Sequence, residues 1–205
     1  MLGRRLCLFA AIALTIVCCN APRRAEAQAE WAIRAGVGRS LIDGALGYYW
    51  GNGIPVTLAM HYSLKSNFSL GAEFSYQSLT LDQGYTLNDS ISYDTDSKFQ
   101  IYRIGLSARR YFLSADSRFR PYATFGAGIY PISIESEDST GFLIRSVAAT
   151  GISPGIGVEY KVGPAFGLSL EARYHIVGGS EGEIGYKSVN YREISFGFKF
   201  VPGEE

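Results

Sequence analysis

Period-two alternation of apolar and polar residues recurs eight times along this chain, and no helical period of any length competes with it. From Asn67 to Tyr76 the apolar set is Phe68, Leu70, Ala72, Phe74 and Tyr76, with Ser69, Gly71, Glu73 and Ser75 between them. Gln100–Phe112 sets Tyr102, Ile104, Leu106, Ala108 and Phe112 against Ile101, Arg103, Gly105, Ser107 and Arg109. The same pattern returns over Pro121–Tyr130, Ile152–Val162 and Phe166–Ile176, and in a last run from Glu193 to Phe200. Two weaker runs, Trp31–Val37 and Ile54–Leu64, precede them. Successive side chains of a strand point to opposite faces, so each run predicts a strand with one apolar face and one polar face. Gly 24, Tyr 14 and Phe 12 suit strands and turns and make poor material for a helical bundle.

The connections alternate as well. Ser63–Asn67, Leu113–Arg118 and Val162–Ala165 are short turns. Those at about Ser40–Gly53, Gln77–Lys98, Pro131–Ala149 and Val177–Asn190 read as long polar loops, and they carry most of the aspartates. Short turns at one end and long loops at the other, with an even strand number, predict an all-β, eight-stranded antiparallel up-and-down transmembrane β-barrel. Closure leaves no free strand edge.

Alternation does not say which face points inward. Three features place the apolar face outside. The polar face is largely Gly, Ser, Ala and Thr, which fit a crowded eight-strand interior; a water-facing surface carries far more Lys and Glu. The charges on that face are of mixed sign: Arg34, Arg103, Arg109, Lys161, Arg173 and Lys199 with Glu73, Glu159, Glu171 and Glu193. A buried charge without a partner costs several kcal/mol, so a narrow lumen requires such a mixture, and these ten residues form the expected interior network. Tyr62, Tyr76, Phe112, Tyr160 and Tyr174 fall near the ends of the apolar face, as aromatic girdles do. The opposite assignment would give a soluble periplasmic lipocalin-like barrel carrying an apolar ligand.

The N-terminus supports export. Arg4 and Arg5 precede an apolar run from Leu6 to Cys19, and small residues follow at Ala25-Glu26-Ala27. The run is shorter than the ~20 residues of a spanning helix, so residues 1–27 read as a cleaved signal peptide and 28–205 as the barrel domain. Cleavage after Ala27 or Ala29 fits equally. All three cysteines, Cys7, Cys18 and Cys19, lie in the signal, so the mature chain has no disulfide framework and no thiolate chemistry. Four of the 19 basic residues and one of the 19 acidic residues leave with it. The mature chain is therefore slightly acidic and has no electrostatic footprint for nucleic acid.

Three runs, Arg120-Pro-Tyr-Ala-Thr-Phe-Gly-Ala-Gly-Ile129, Pro154-Gly-Ile-Gly-Val-Glu-Tyr160 and Leu168-Ser-Leu-Glu-Ala-Arg-Tyr174, resemble the OmpA-type and OmpX-type outer membrane β-barrel domain superfamily, over nearly the whole mature chain. The resemblance implies a small porin-like barrel inserted by the outer-membrane assembly machinery and bathed in outer membrane lipid and lipopolysaccharide. The final strand ends in Phe200, as the family's insertion signal would, but Val201-Pro-Gly-Glu-Glu205 follows it. The resemblance therefore leads one to expect the barrel alone, without the peptidoglycan-binding domain of full OmpA-type proteins.

Candidate chemistry is sparse. His61-Tyr62-Ser63 matches the His-x-Ser pair of lipid A deacylases, in which residues two apart share a strand face and the His activates the Ser. Here the pair falls on the interior face beside a short turn, so it reads as interior packing. His175, near Glu171 and Arg173, reads the same way, and two distant histidines make no metal motif. The acidic stretch Gly84–Asp96 lacks the ligand spacing of a calcium loop. Gly126-Ala-Gly128 and Gly155-Ile-Gly157 lie inside strands and open no helix, so they are not phosphate loops; they relieve crowding where the barrel wall curves. The sequence thus predicts a monomeric bacterial outer membrane barrel, not an enzyme and without cofactor. Its lumen is plugged by charge, so it is no general pore. Its role is structural or one of surface interaction, with a possible extracellular ligand met by the loops. A lipid A-modifying enzyme is the remaining alternative.

Overall fold

The computed structural model describes residues 31–44, 47, 50–65, 67–80, 85–87, 91–93, 97–138, 141–178 and 188–202. The expected signal peptide, with both cleavage points, and the last three residues lie outside them. Ten strands follow in chain order: β1 (Trp31–Ile42), β2 (Val56–Lys65), β3 (Phe68–Thr80), β4 (Tyr85–Leu87), β5 (Ile91–Tyr93), β6 (Lys98–Tyr111), β7 (Phe119–Asp138), β8 (Gly141–Lys161), β9 (Phe166–Gly178) and β10 (Ser188–Phe200). Eight of them close a barrel in the order β1-β10-β9-β8-β7-β6-β3-β2, every neighbour antiparallel. The ring closes between the first and last strands, from Ile33↔Phe200 to Ile42↔Tyr191. Val201 continues past Phe200, and its N–H donates to the Ala165 carbonyl at 2.9 Å.

The alternating sets settle the faces. Outward side chains form an exposed apolar belt in which Leu106 is 70% exposed and Ile156 is 67% exposed. Apolar surface this continuous is stable against lipid and not against water. The inward set is buried, Arg34, Glu73, Arg103 and Glu159 among it. This arrangement excludes the soluble, apolar-in barrel. Aromatic pairs mark both edges of the belt. Trp31 packs on Tyr62 at 4.8 Å and Phe166 on Phe200 at 5.2 Å on the short-turn side; Tyr76 packs on Tyr102 at 4.9 Å on the loop side.

Two of the four expected long loops are corrected. Most of Pro131–Ala149 is strand: β7 and β8 pair without a break as far as Asp138↔Gly141. Within Gln77–Lys98, β4 and β5 form a separate small hairpin paired from Tyr85↔Tyr93 to Leu87↔Ile91. Pro131 and the Ser/Glu-rich stretch after it suggested a loop. The alternation nevertheless continues, with Ile132 and Ile134 buried and Ser133 and Glu135 on the other face. A proline has no N–H for a ladder bond. Accordingly, the β6–β7 ladder skips from Ile101↔Ile132 to Ile104↔Ile129 around Pro131, and the β8–β9 ladder skips from Ile152↔Ile176 to Gly155↔Arg173 around Pro154.

Glycines make room for the interior contents. Gly105 faces Gly128 in the β6–β7 ladder, and a Cβ on Gly128 would lie 2.8 Å from the Gly105 Cα. A Cβ on Gly157 would meet the Tyr122 ring at 2.5 Å, so this glycine lets the tyrosine lie flat against the wall.

Candidate functional site

The lumen is filled in two layers of different chemistry. Toward the short turns lies a charged layer. Glu73 on β3 is its hub. Arg173 donates to it twice, Nη1 to Oε2 at 2.6 Å and Nη2 to Oε1 at 2.8 Å. The Ser107 hydroxyl donates to Oε1 at 2.7 Å, and the Arg103 and Arg109 guanidinium groups stand at 3.2 and 3.7 Å. Glu171 accepts from the Tyr122 hydroxyl at 2.8 Å, pairs with Arg109 at 3.0 Å, and pairs closely with Arg173 on its own strand. Charge-assisted and bidentate bonds of this kind are the strong ones, and desolvation makes leaving them unmade costly.

A second hub is Glu159 on β8. Arg34 pairs with it, Lys199 Nζ donates at 3.1 Å, and the Tyr111 hydroxyl donates at 3.0 Å. Arg34 also donates to the Tyr111 oxygen at 2.6 Å. Arg120 stands 3.7 Å from Glu159, its guanidinium 3.9 Å above the Tyr111 ring. Glu193 faces His175 Nε2 at 3.2 Å, while the His175 ring stacks on Tyr191 at 4.1 Å and its Nδ1 lies 3.2 Å from the Tyr130 hydroxyl.

The ten interior residues named from sequence are therefore placed as follows. Arg34, Glu159 and Lys199 form one cluster; Glu73, Arg103, Arg109, Glu171 and Arg173 form another; Glu193 pairs with His175. Lys161 is half-buried at the short-turn end of β8, on the lumen face, and is not brought into these clusters. The sequence reading missed Arg120, because its strand began one residue later at Pro121; the parity of Tyr122 and Thr124 carries the signal. It also missed Tyr111 and Tyr122, whose hydroxyls complete the hubs.

Toward the loops the inward face changes character. Ile42, Trp50, Leu79, Phe99, Ile101, Tyr130, Ile132, Ile134, Ala149, Val177, Val189 and Tyr191 form one buried apolar cluster across the lumen. Trp50, from the β1–β2 connection, packs on Phe99 of β6 with ring centroids 5.1 Å apart. The sequence reading placed small polar residues and charge in the lumen; the structure adds this greasy stopper above them. Hydrocarbon in van der Waals contact excludes water and ions from the path.

The His-x-Ser pair is in the lumen wall. His61 is buried, with Nε2 3.5 Å from Glu73, and Ser63 shares its face. Neither reaches the lipid-facing surface where an acyl substrate would lie. The acidic segment Gly84–Asp96 falls largely outside the described residues. Among the described residues no cluster of His, Cys, Asp and Glu could hold a metal ion.

Comparison with known proteins follows the same lines. A family model for the outer membrane protein β-barrel domain matches residues 9–201. A search of curated proteins returns no match. Among solved structures, the chain is similar to neisserial surface protein A, at 19% identity and a TM-score of 0.60, over 83% of this chain and 96% of that one. It is similar to Ail of Yersinia pestis, solved with the heparin analogue sucrose octasulfate, at 16% identity and a TM-score of 0.53, over 85% and 99%. A major outer membrane protein of Thermus thermophilus gives 16% identity and a TM-score of 0.54, over 85% and 99%. At these identities the likeness is one of fold.

Proposed function

Because the chain belongs to the outer membrane protein β-barrel domain family, and so is a protein of the bacterial outer membrane, we propose that it is a sealed surface barrel that acts through its loop-side rim. The observation that carries this reading is the two-layer closure of the lumen. With ion pairs below and the Trp50–Phe99 stopper above, the interior offers no path for solutes. The work then falls to groups displayed outside, as is usual for loops on a rigid scaffold. The paired arms of β7 and β8 give that rim a stiff projection out to Asp138 and Gly141. Partner recognition there, with outer membrane lipid and lipopolysaccharide around the belt and assembly by the outer-membrane machinery, completes the reading. The protein acts as a monomer and does no catalysis: His61 and Ser63 face away from acyl chains, which supports packing over lipid hydrolysis.

The test is adhesion by cells that display the protein. Replacing residues 136–143 by Asn-Gly joins Glu135 to Ile144, which are register partners, and keeps Ile134 in the stopper. Wild-type cells are expected to bind host-surface glycans or matrix proteins on an immobilised panel that includes heparin. Cells with the shortened arm are expected to lose that binding while the barrel still shifts on a gel between unboiled and boiled samples. Adhesion equal to that of cells lacking the protein would overturn the reading. A stable, ohmic, large conductance in planar bilayers would assign the barrel to transport instead.

A further inference from the structure

The charges of the lumen do not balance. Five arginines (Arg34, Arg103, Arg109, Arg120 and Arg173) and Lys199 face four carboxylates, Glu73, Glu159, Glu171 and Glu193, before either histidine is counted. A cavity with about 40 Å³ of room for water-sized molecules lies inside the wall of β1, β2, β9 and β10, and the lumenal side chains Arg34, Arg103, Arg109 and Arg173 line it with Glu171 and Glu193. Four guanidinium groups and two carboxylates line that space, and the same arginines also pair with Glu73 and Glu159 beside it.

The arginines around this cavity leave donors unused. The side chains of Arg34, Arg103 and Arg109 are each more than nine-tenths buried, at 7%, 5% and 7% exposure. On each of the three, Nη2 reaches a carboxylate, while Nε and Nη1 have no hydrogen-bond partner among the described residues. Six buried cationic N–H-bearing nitrogens without acceptors are expensive, because buried donors are nearly always paired. A single charged acceptor among them satisfies several donors and offsets the charge together.

We propose that this cavity binds a small monovalent anion of halide size, with chloride as its ordinary occupant. Room for two or three water-sized bodies admits a chloride ion with a water beside it and is too small for gluconate. The anion would lock Arg34 against Glu159 and Arg103 and Arg109 against Glu73 and Glu171, so it would act on the folded barrel as a stabilising ligand.

Two measurements on the full mature barrel in detergent test this. Crystals soaked in sodium bromide are expected to show an anomalous peak in the cavity within hydrogen-bond reach of those three guanidinium groups. A cavity filled by water alone, with bromide only as an adventitious ion on the exterior, would overturn the proposal. In solution at fixed ionic strength, exchanging gluconate for chloride is expected to raise the temperature at which the unboiled gel form is lost, by an amount that grows with the logarithm of chloride concentration. General salt effects run the other way, since strongly hydrated anions favour the folded state without binding. Arg103→Gln is expected to abolish the chloride dependence. If that variant does not fold, the wild-type chloride series and the bromide map decide alone, and a wild type indifferent to chloride with no lumenal peak ends the idea.

Discussion

Arg173 and Glu73 clasp each other across the full width of the barrel, through two hydrogen bonds of 2.6 and 2.8 Å. Their strands, β9 and β3, stand four apart in the ring whichever way it is counted, so the pair joins opposite walls. A pair within one wall would only support local packing; this one bridges the lumen at its middle. Removing one member leaves buried charge without compensation. Glu73→Gln is expected to cost about 3–5 kcal/mol of folding stability, because Arg173, Arg103 and Arg109 all lose a partner. Arg173→Met should cost a similar amount, and the double variant less than the sum, since no orphaned charge of that pair then remains. Urea unfolding in detergent micelles checks all three; additive losses would mean that the clasp carries no coupling.

The outward face makes a depth-dependent prediction. Leu106 stands in the middle of the belt and Ser133 near its loop-side edge, both on the outer surface. Leu106→Arg is expected to cost about 2–4 kcal/mol and Ser133→Arg about 0–1 kcal/mol, because a charge at the bilayer midplane cannot reach water. Folding into lipid vesicles across a denaturant series measures both. Equal costs would show that the belt is misplaced along the strands.

Much of this was readable from the chain because a barrel wall imposes one rule at every residue. Alternation fixed the strand faces, and Gly and Ser between the apolar positions marked the crowded side. Charge of both signs on that side implied pairing, but not who pairs with whom: Arg173 meets Glu73 from 100 positions away in the chain, a separation only ring closure explains. The apolar stopper escaped notice because the inward parity is unchanged from Arg103 to Ile101 and Phe99 while the chemistry reverses. The alternation itself persists there with its faces exchanged, Lys98, Gln100, Ser133 and Glu135 outward and Phe99, Ile101, Ile132 and Ile134 inward, and polar residues in the outward phase read as loop. Arg120 escaped for a smaller reason, a strand start placed at Pro121.

The stopper is expected to contribute to stability as an ordinary hydrophobic core does. Phe99 is fully buried against Trp50. Phe99→Ala is expected to cost about 3–5 kcal/mol, the lost transfer energy plus the cavity left behind. The charged layer beneath remains, so planar bilayers should still show no stable conductance. A channel in this variant would mean that the aromatic layer alone seals the lumen.

Gly157 and Tyr122 should behave as a coupled pair. A Cβ at 157 would sit 2.5 Å from the Tyr122 Cζ and 2.6 Å from its oxygen, and that oxygen donates to Glu171 at 2.8 Å. Gly157→Ala therefore pushes the ring off the wall and strains the bond that holds Glu171, at an expected cost of about 1–3 kcal/mol. Tyr122→Leu also destabilises, since Glu171 loses a donor in a desolvated place. Once the ring is gone, however, the methyl group at 157 is left only with its approach to the Leu170 carbonyl at 2.8 Å. The double variant should thus be clearly more stable than the sum of the two single losses implies, by urea unfolding of all four proteins. Strict additivity would mean that the wall yields around a methyl group at 157, and that this glycine is not there to seat the tyrosine.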